Sequence, residues 1–111
     1  MADVMDEIRD EISQNTIIIY MKGTPQSPQC GFSATTVAML DDLGYPYAAV
    51  DVLAEPAKRQ AIKEFSNWPT IPQVYVNGTF IGGCDIVQEM YASGELQQLL
   101  KEAFAGEPVS R

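Results

Sequence analysis

Cys30 stands in the stretch QCGFS, residues 29–33, where a proline-rich segment gives way to a helical pattern. A thiol at a helix N-terminus faces unpaired backbone N–H groups and the positive end of the helix dipole, and both favour the thiolate. The thiolate is at once the sulfur nucleophile and the form that ligates metal. Lys22, directly after the first strand-like run, is placed to add a positive charge beside it. Ser33 occupies the position where a second cysteine would complete a C-x-x-C pair, so the motif has no resolving sulfur of its own. The competing reading is that Cys30 is a small apolar core residue, as free cysteines often are.

Two other segments bear on the same chemistry. In WPTIPQ, residues 68–73, two prolines surround Thr70-Ile71 just before a strand, which describes a rigid turn in which Ile71-Pro72 could be cis. The Ile71 backbone would then point outward, available to an extended peptide as an added strand; the plain alternative is an ordinary proline turn. In GGCD, residues 82–85, the glycines admit a ligand close to the backbone and the following helix start offers free N–H groups to a carboxylate. Asp85 could receive an ammonium group, or act only as an N-cap, or do both. Together the segments describe a site for a short acidic peptide bearing a thiol: one carboxylate at Cys84-Asp85, another at Lys22 and Arg59, the middle paired with Ile71. Glutathione has that layout.

The whole chain limits the alternatives. Its 111 residues suffice for one domain, spanning 1–111, with a core at about 4–104 and a flexible tail at 105–111. No run approaches the roughly 18 apolar residues of a membrane span. The N-terminus lacks the basic start and apolar core of a signal peptide, which predicts a cytoplasmic address. A net charge of -8 argues against nucleic acid. With no histidine, a Cys-His dyad and imidazole metal ligands are excluded, and two cysteines cannot alone fill a four-ligand zinc site. Lys58, Arg59 and Lys63 share one segment, whose simplest reading is a solvated helix face.

The secondary structure around these residues follows from periodicity. Val4, Ile8 and Ile12 predict an amphipathic helix over 3–14 ended by Asn15. Ile17 to Met21 form a β-branched run suited to a strand buried on both faces. KGTPQSPQ reads as a loop, 32–43 as a helix stopped by Gly44, and 46–52 as a strand parallel to the first through a right-handed crossover. Pro56 opens a helix to about Phe65. QVYV and TFIG flank Asn77-Gly78, the preferred pair for a type I′ hairpin turn. Asp85 and Gln88 have capping-box spacing, and Ile86, Met90, Leu96, Leu99 and Leu100 carry helical patterning to about Phe104. The sum is an α/β chain with a four-stranded mixed β-sheet flanked by helices on both faces.

MKGTPQSPQCGFS, WPTIPQVYVNG and GGCDI, in this order over roughly residues 4–104, closely resemble the monothiol glutaredoxins of the CGFS type, in their short, single-domain bacterial form. The resemblance implies a thioredoxin-like fold, a glutathione site and a [2Fe-2S] cluster bridged between two monomers. Such a cluster takes four thiolates, which one Cys30 and one glutathione sulfur per monomer would supply. By residue match Cys30 is the cluster ligand and catalytic sulfur. Lys22, Arg59, Ile71, Cys84 and Asp85 would bind glutathione, with Phe32, Thr70, Pro72 and Gly83 shaping the site; a Cys30–Cys84 disulfide on oxidation is a secondary expectation. The implied role is cluster transfer and iron homeostasis, with apo iron-sulfur proteins as recipients and a possible BolA-type partner. The alternatives are a glutathione-dependent oxidoreductase that deglutathionylates proteins through Cys30 alone, and a chain whose cysteines are inert.

Overall fold

Strand β1, Ile17–Met21, is buried along its whole length because both of its faces are covered. In the computed structural model, which describes residues 3–105, it lies at the centre of a four-stranded sheet. Its neighbours are β4, Ala48–Asp51, running parallel, and β5, Gln73–Val76, running antiparallel. The edge strand β6, Thr79–Gly82, pairs with β5, giving the order β4-β1-β5-β6.

Side-chain alternation along β1 sends Ile17, Ile19 and Met21 to one face and Ile18 and Tyr20 to the other. The first set meets Val37 and Leu40 of helix α2, Gly31–Leu43, Val87 of α4, Cys84–Ser93, and Leu96 and Leu100 of α5, Glu95–Ala105. The second meets Ile8 and Ile12 of helix α1, Val4–Gln14, and Ile62 of α3, Pro56–Ser66. Each fully buried aliphatic side chain contributes about 1.5–3 kcal/mol relative to exposure. The mixed sheet with helices on both faces is therefore as the β-branched run requires.

Local chemistry sets the ends of the elements. Asp3 accepts a hydrogen bond from the Met5 amide at the start of α1, and Asn15 ends that helix. Gly44 closes α2 in the left-handed conformation, and Pro56 occupies the first turn of α3. Asn77 and Gly78 both have positive φ, 54° and 84°, as a type I′ turn demands.

Several boundaries differ from expectation. KGTPQSPQ is not a plain loop: Gly23–Thr24 (β2) and Ser27–Pro28 (β3) pair as a two-stranded antiparallel ribbon. Gly23 is crossed so closely that a Cβ there would lie 2.5 Å from the Ser27 carbonyl oxygen. The strand expected over 46–52 is trimmed to β4, because its backbone turns after Asp51. The capping box at Asp85 and Gln88 does not form: Gly83 is the N-cap of α4, with no side-chain cap, and Asp85 lies inside the first turn. The patterning after Ile86 is split, since Gly94 ends α4 in the left-handed conformation and α5 starts again at Glu95. Ala105, assigned to the tail by sequence, ends α5; the rest of that tail lies outside the described residues.

The largest departure is Lys58. It is 6% exposed and faces inward, so 58–63 is not a uniformly solvated face. Its Nζ pairs with Glu11, with Glu55 at 3.3 Å and with Glu7 at 3.9 Å, while the Tyr20 hydroxyl donates to Glu11 at 2.7 Å. Burial alone would push the ammonium pKa down, but the hydrogen bonds and charges of Glu11 and Glu55 outweigh it and hold the value above 10.5. A raised cation pKa contributes stability that is intact below the ordinary lysine value and disappears as pH climbs through the folded one. Lys58→Met leaves Glu11 without its cation beside a buried tyrosine, and is expected to cost about 1–3 kcal/mol, allowing for the exposure of the glutamates. Urea unfolding at neutral pH checks it: an unchanged midpoint would show that the cluster stabilises nothing.

Candidate functional site

The C-terminal end of β1 delivers the chain to Lys22, where hydrogen bonds from both sides hold the backbone. The Lys22 amide donates to Ser33 Oγ at 3.1 Å, its carbonyl accepts the Gln29 amide at 2.8 Å, and the Gly23 amide donates to Asp51 Oδ1 at 2.9 Å. The β2–β3 ribbon thus carries the chain out and back to Cys30. There the extended backbone, φ −155° and ψ 147°, makes Cys30 the N-cap of α2.

The capping atom is the sulfur itself. Ser33 N–H donates to Cys30 Sγ at 3.4 Å, and Ser33 Oγ lies 3.6 Å from it. Ser33 is fully buried, and its oxygen already accepts the Lys22 amide, so its own proton is free to point at a thiolate. Burial opposes ionisation of Cys30, but the Ser33 amide and hydroxyl, the Phe32 amide and the Lys22 charge together outweigh it, and the thiol pKa is lowered from 9.0. Cys30 is half-buried and free of disulfide. Cys30 thus stands at a helix start, as expected, and is not packed into the core.

Beside the thiol runs a groove of about 370 Å³. Lys22 and Phe32, two of the groups that act on Cys30, line it together with Arg59 from α3. Thr70, Ile71 and Pro72 line it before β5, and Gly83, Cys84 and Asp85 close it at the start of α4. All the residues that the sequence marked around Cys30 therefore meet at one place, although they come from five separate segments. Ile71-Pro72 is cis, and Ile71 stands outside the β5 ladder, whose last registered pair is Tyr20 with Gln73. Cys84 is a free thiol with 8% exposure.

Sequence reasoning missed other parts of this wall. Lys63, one helical turn beyond Arg59, adds a third cation, and Trp68, Pro69 and Ile86 add apolar surface. The i, i+4 spacing of Arg59 and Lys63 was the available signal. Gln73 was missed as well: fully buried, its Nε2 donates to the carbonyls of Trp68 at 3.1 Å and Thr70 at 3.2 Å, bracing the segment that lines the groove. Only one of the described acidic residues, Asp85, lines the groove. It sits in the first turn of α4, where a negative charge complements the helix dipole.

A lowered thiol pKa adds stability that is complete above the unfolded thiol's value and is lost as pH falls through the folded one. The same hydrogen bonds set reactivity. Ser33→Ala removes the hydroxyl while keeping the amide, and the pH midpoint for alkylation of Cys30 by iodoacetamide is expected to rise. A midpoint at or below the parent's would exclude a stabilising role for the hydroxyl.

This arrangement has recognisable relatives. A family model described as glutaredoxin matches residues 17–81. An uncharacterized monothiol glutaredoxin (ycf64-like) of Synechocystis sp. is 55% identical over 94 residues, which are 85% of this chain and 88% of that protein. The solution structure of reduced poplar apo GrxS14 is 43% identical, covers 90% of this chain and 92% of its own, and has a TM-score of 0.79. The crystal structure of a buckwheat glutaredoxin–glutathione complex is 25% identical, covers 90% of this chain and 89% of its own, and has a TM-score of 0.80. With a thioredoxin-like sheet, an N-capping thiol and serine in place of a second cysteine, the chain belongs to the glutaredoxin family, among its monothiol members.

Proposed function

We propose that the groove binds glutathione and that Cys30, with the glutathione sulfur beside it, holds half of a [2Fe-2S] cluster shared with a second copy of the chain, for delivery to apo iron-sulfur proteins. The observation that carries this reading is the single stabilised thiol beside a groove lined by three cations and by the start of a helix. Glutathione has two carboxylates, an ammonium group and a thiol. The cations Lys22, Arg59 and Lys63 suit its glycine carboxylate. The α4 amides at Cys84 and Asp85 suit the carboxylate of its γ-glutamyl end, and the Asp85 side chain its ammonium. The Ile71 backbone is left to pair with the middle of the peptide. The buckwheat glutaredoxin of similar fold is one solved with glutathione.

The donor set fits a shared cluster better than a resident one. Among the described residues no group of three or more His, Cys, Asp and Glu side chains is placed to hold a metal ion. Cys30 offers one thiolate, and a [2Fe-2S] cluster takes four. Two copies of Cys30 and two glutathione sulfurs complete the set, which makes the cluster a cargo that can be surrendered. In this role Ser33 and Lys22 keep Cys30 ionised, and Phe32, 63% exposed next to the sulfur, gives the second copy or a BolA-type partner an apolar surface to cover.

The same thiolate favours a second reading. Cys30 sulfur would attack the glutathione sulfur of a protein mixed disulfide, forming Cys30–S–SG and expelling the protein thiolate. A second glutathione thiolate would then release glutathione disulfide and restore Cys30. Anaerobic reconstitution with iron, sulfide and glutathione separates the two. The parent chain is expected to develop visible cluster absorption, and either Cys30→Ser or omission of glutathione to abolish it. A parent that stays colourless, yet turns over a glutathionylated peptide at about 1 per second or faster, would transfer the assignment to deglutathionylation.

A further inference from the structure

Asp51 lies at the end of β4, outside the groove, and its Oδ1 accepts two backbone hydrogen bonds at 2.9 Å, from Gly23 and from Leu53. The two donors belong to different segments. Leu53 follows β4 on the way to α3, while Gly23 starts β2 and immediately follows the groove cation Lys22. Consecutive amides are thus fixed by side chains from opposite directions: Lys22 N–H by Ser33 Oγ and Gly23 N–H by Asp51 Oδ1. Met21 and Asp51 are register partners in the parallel pair, and the Val52 amide donates to the Met21 carbonyl at 2.9 Å, so the carboxylate springs from a point that the sheet itself holds.

We infer that Asp51 is a positioning residue for the glutathione site: by holding the Gly23 amide it fixes the backbone from which Lys22 reaches the groove and from which the β2–β3 ribbon returns to Cys30. Gly23 supplies no side chain of its own to do this, and with φ 89° and a crossing chain above it no other residue fits there. The hydrogen bond to a carboxylate is charge-assisted, roughly twice as strong as a neutral one. Without it the buried Gly23 amide is left unpaired, and the backbone that carries Lys22 loses one of its fixed points.

The inference rests on the reading that the groove binds glutathione, and one NMR titration with reduced glutathione separates the two claims. If the parent chain does not bind, the reading itself fails. If it binds, Asp51→Ala is expected to weaken affinity about tenfold at a temperature where the variant is fully folded. Asp51→Asn keeps an Oδ1 acceptor for both amides and is expected to restore affinity to within about threefold of the parent. A purely structural role would lower the unfolding temperature of Asp51→Ala without moving the affinity, and that result overturns the inference. Amide hydrogen exchange in the parent gives a check that survives a variant's failure to fold: Gly23 and Leu53 should be protected, and free exchange at both would also overturn it.

Discussion

A buried serine joins the parts of this molecule that must agree. Ser33 accepts the backbone amide of Lys22 as the chain leaves the central strand, and its own amide and hydroxyl face the Cys30 sulfur that caps the next helix. One side chain therefore ties the strand end, the helix start and the thiolate together. A cysteine there would supply a resolving sulfur but a weaker hydrogen-bonding group. The exchange of the second thiol for a hydroxyl is a change of chemistry: it gives up an internal disulfide and gains a fixed, ionisable single sulfur.

Charge is distributed to the same end. Of seven Lys and Arg residues in a chain with fifteen acids, three line one groove and a fourth is enclosed by carboxylates between α1 and α3. Lys58 looks outward in the sequence and is turned inward in the fold. Its enclosure holds α3 against α1, and Arg59 and Lys63 leave the same helix toward the groove. An anionic body with one cationic cleft attracts a small anionic ligand to that cleft and repels it elsewhere.

Much of this was legible in the sequence, where residue type and local geometry coincide. Ile17 to Met21 carry enough β-branched bulk to require burial on both faces, and Asn77-Gly78 admits few turns other than the one observed. The candidate site was legible because its residues lie in short motifs whose chemistry converges on one ligand. What stayed hidden depends on contacts between distant segments. The ribbon in KGTPQSPQ is anchored at Gly23 by Asp51, 28 residues away, and Lys58, turned inward, pairs with Glu11, 47 residues away. Asp85 and Gln88 have capping-box spacing, but Gly83 takes the N-cap because the chain enters α4 directly from the edge strand at Gly82, whose φ of 144° suits glycine alone. Gln73 reads as an ordinary strand residue until the fold places the carbonyls of Trp68 and Thr70 beside it.

In the proposed complex each chain contributes a single sulfur to a shared cluster and glutathione supplies the rest. Native mass spectrometry of the anaerobically reconstituted protein tests this directly, because it counts every ligand at once. One species is expected, containing two chains, two glutathione molecules and one [2Fe-2S] unit, and Cys84→Ser should form the same species. A cluster carried by two chains without glutathione, and lost in Cys84→Ser, would contradict the proposal and make Cys84 a ligand.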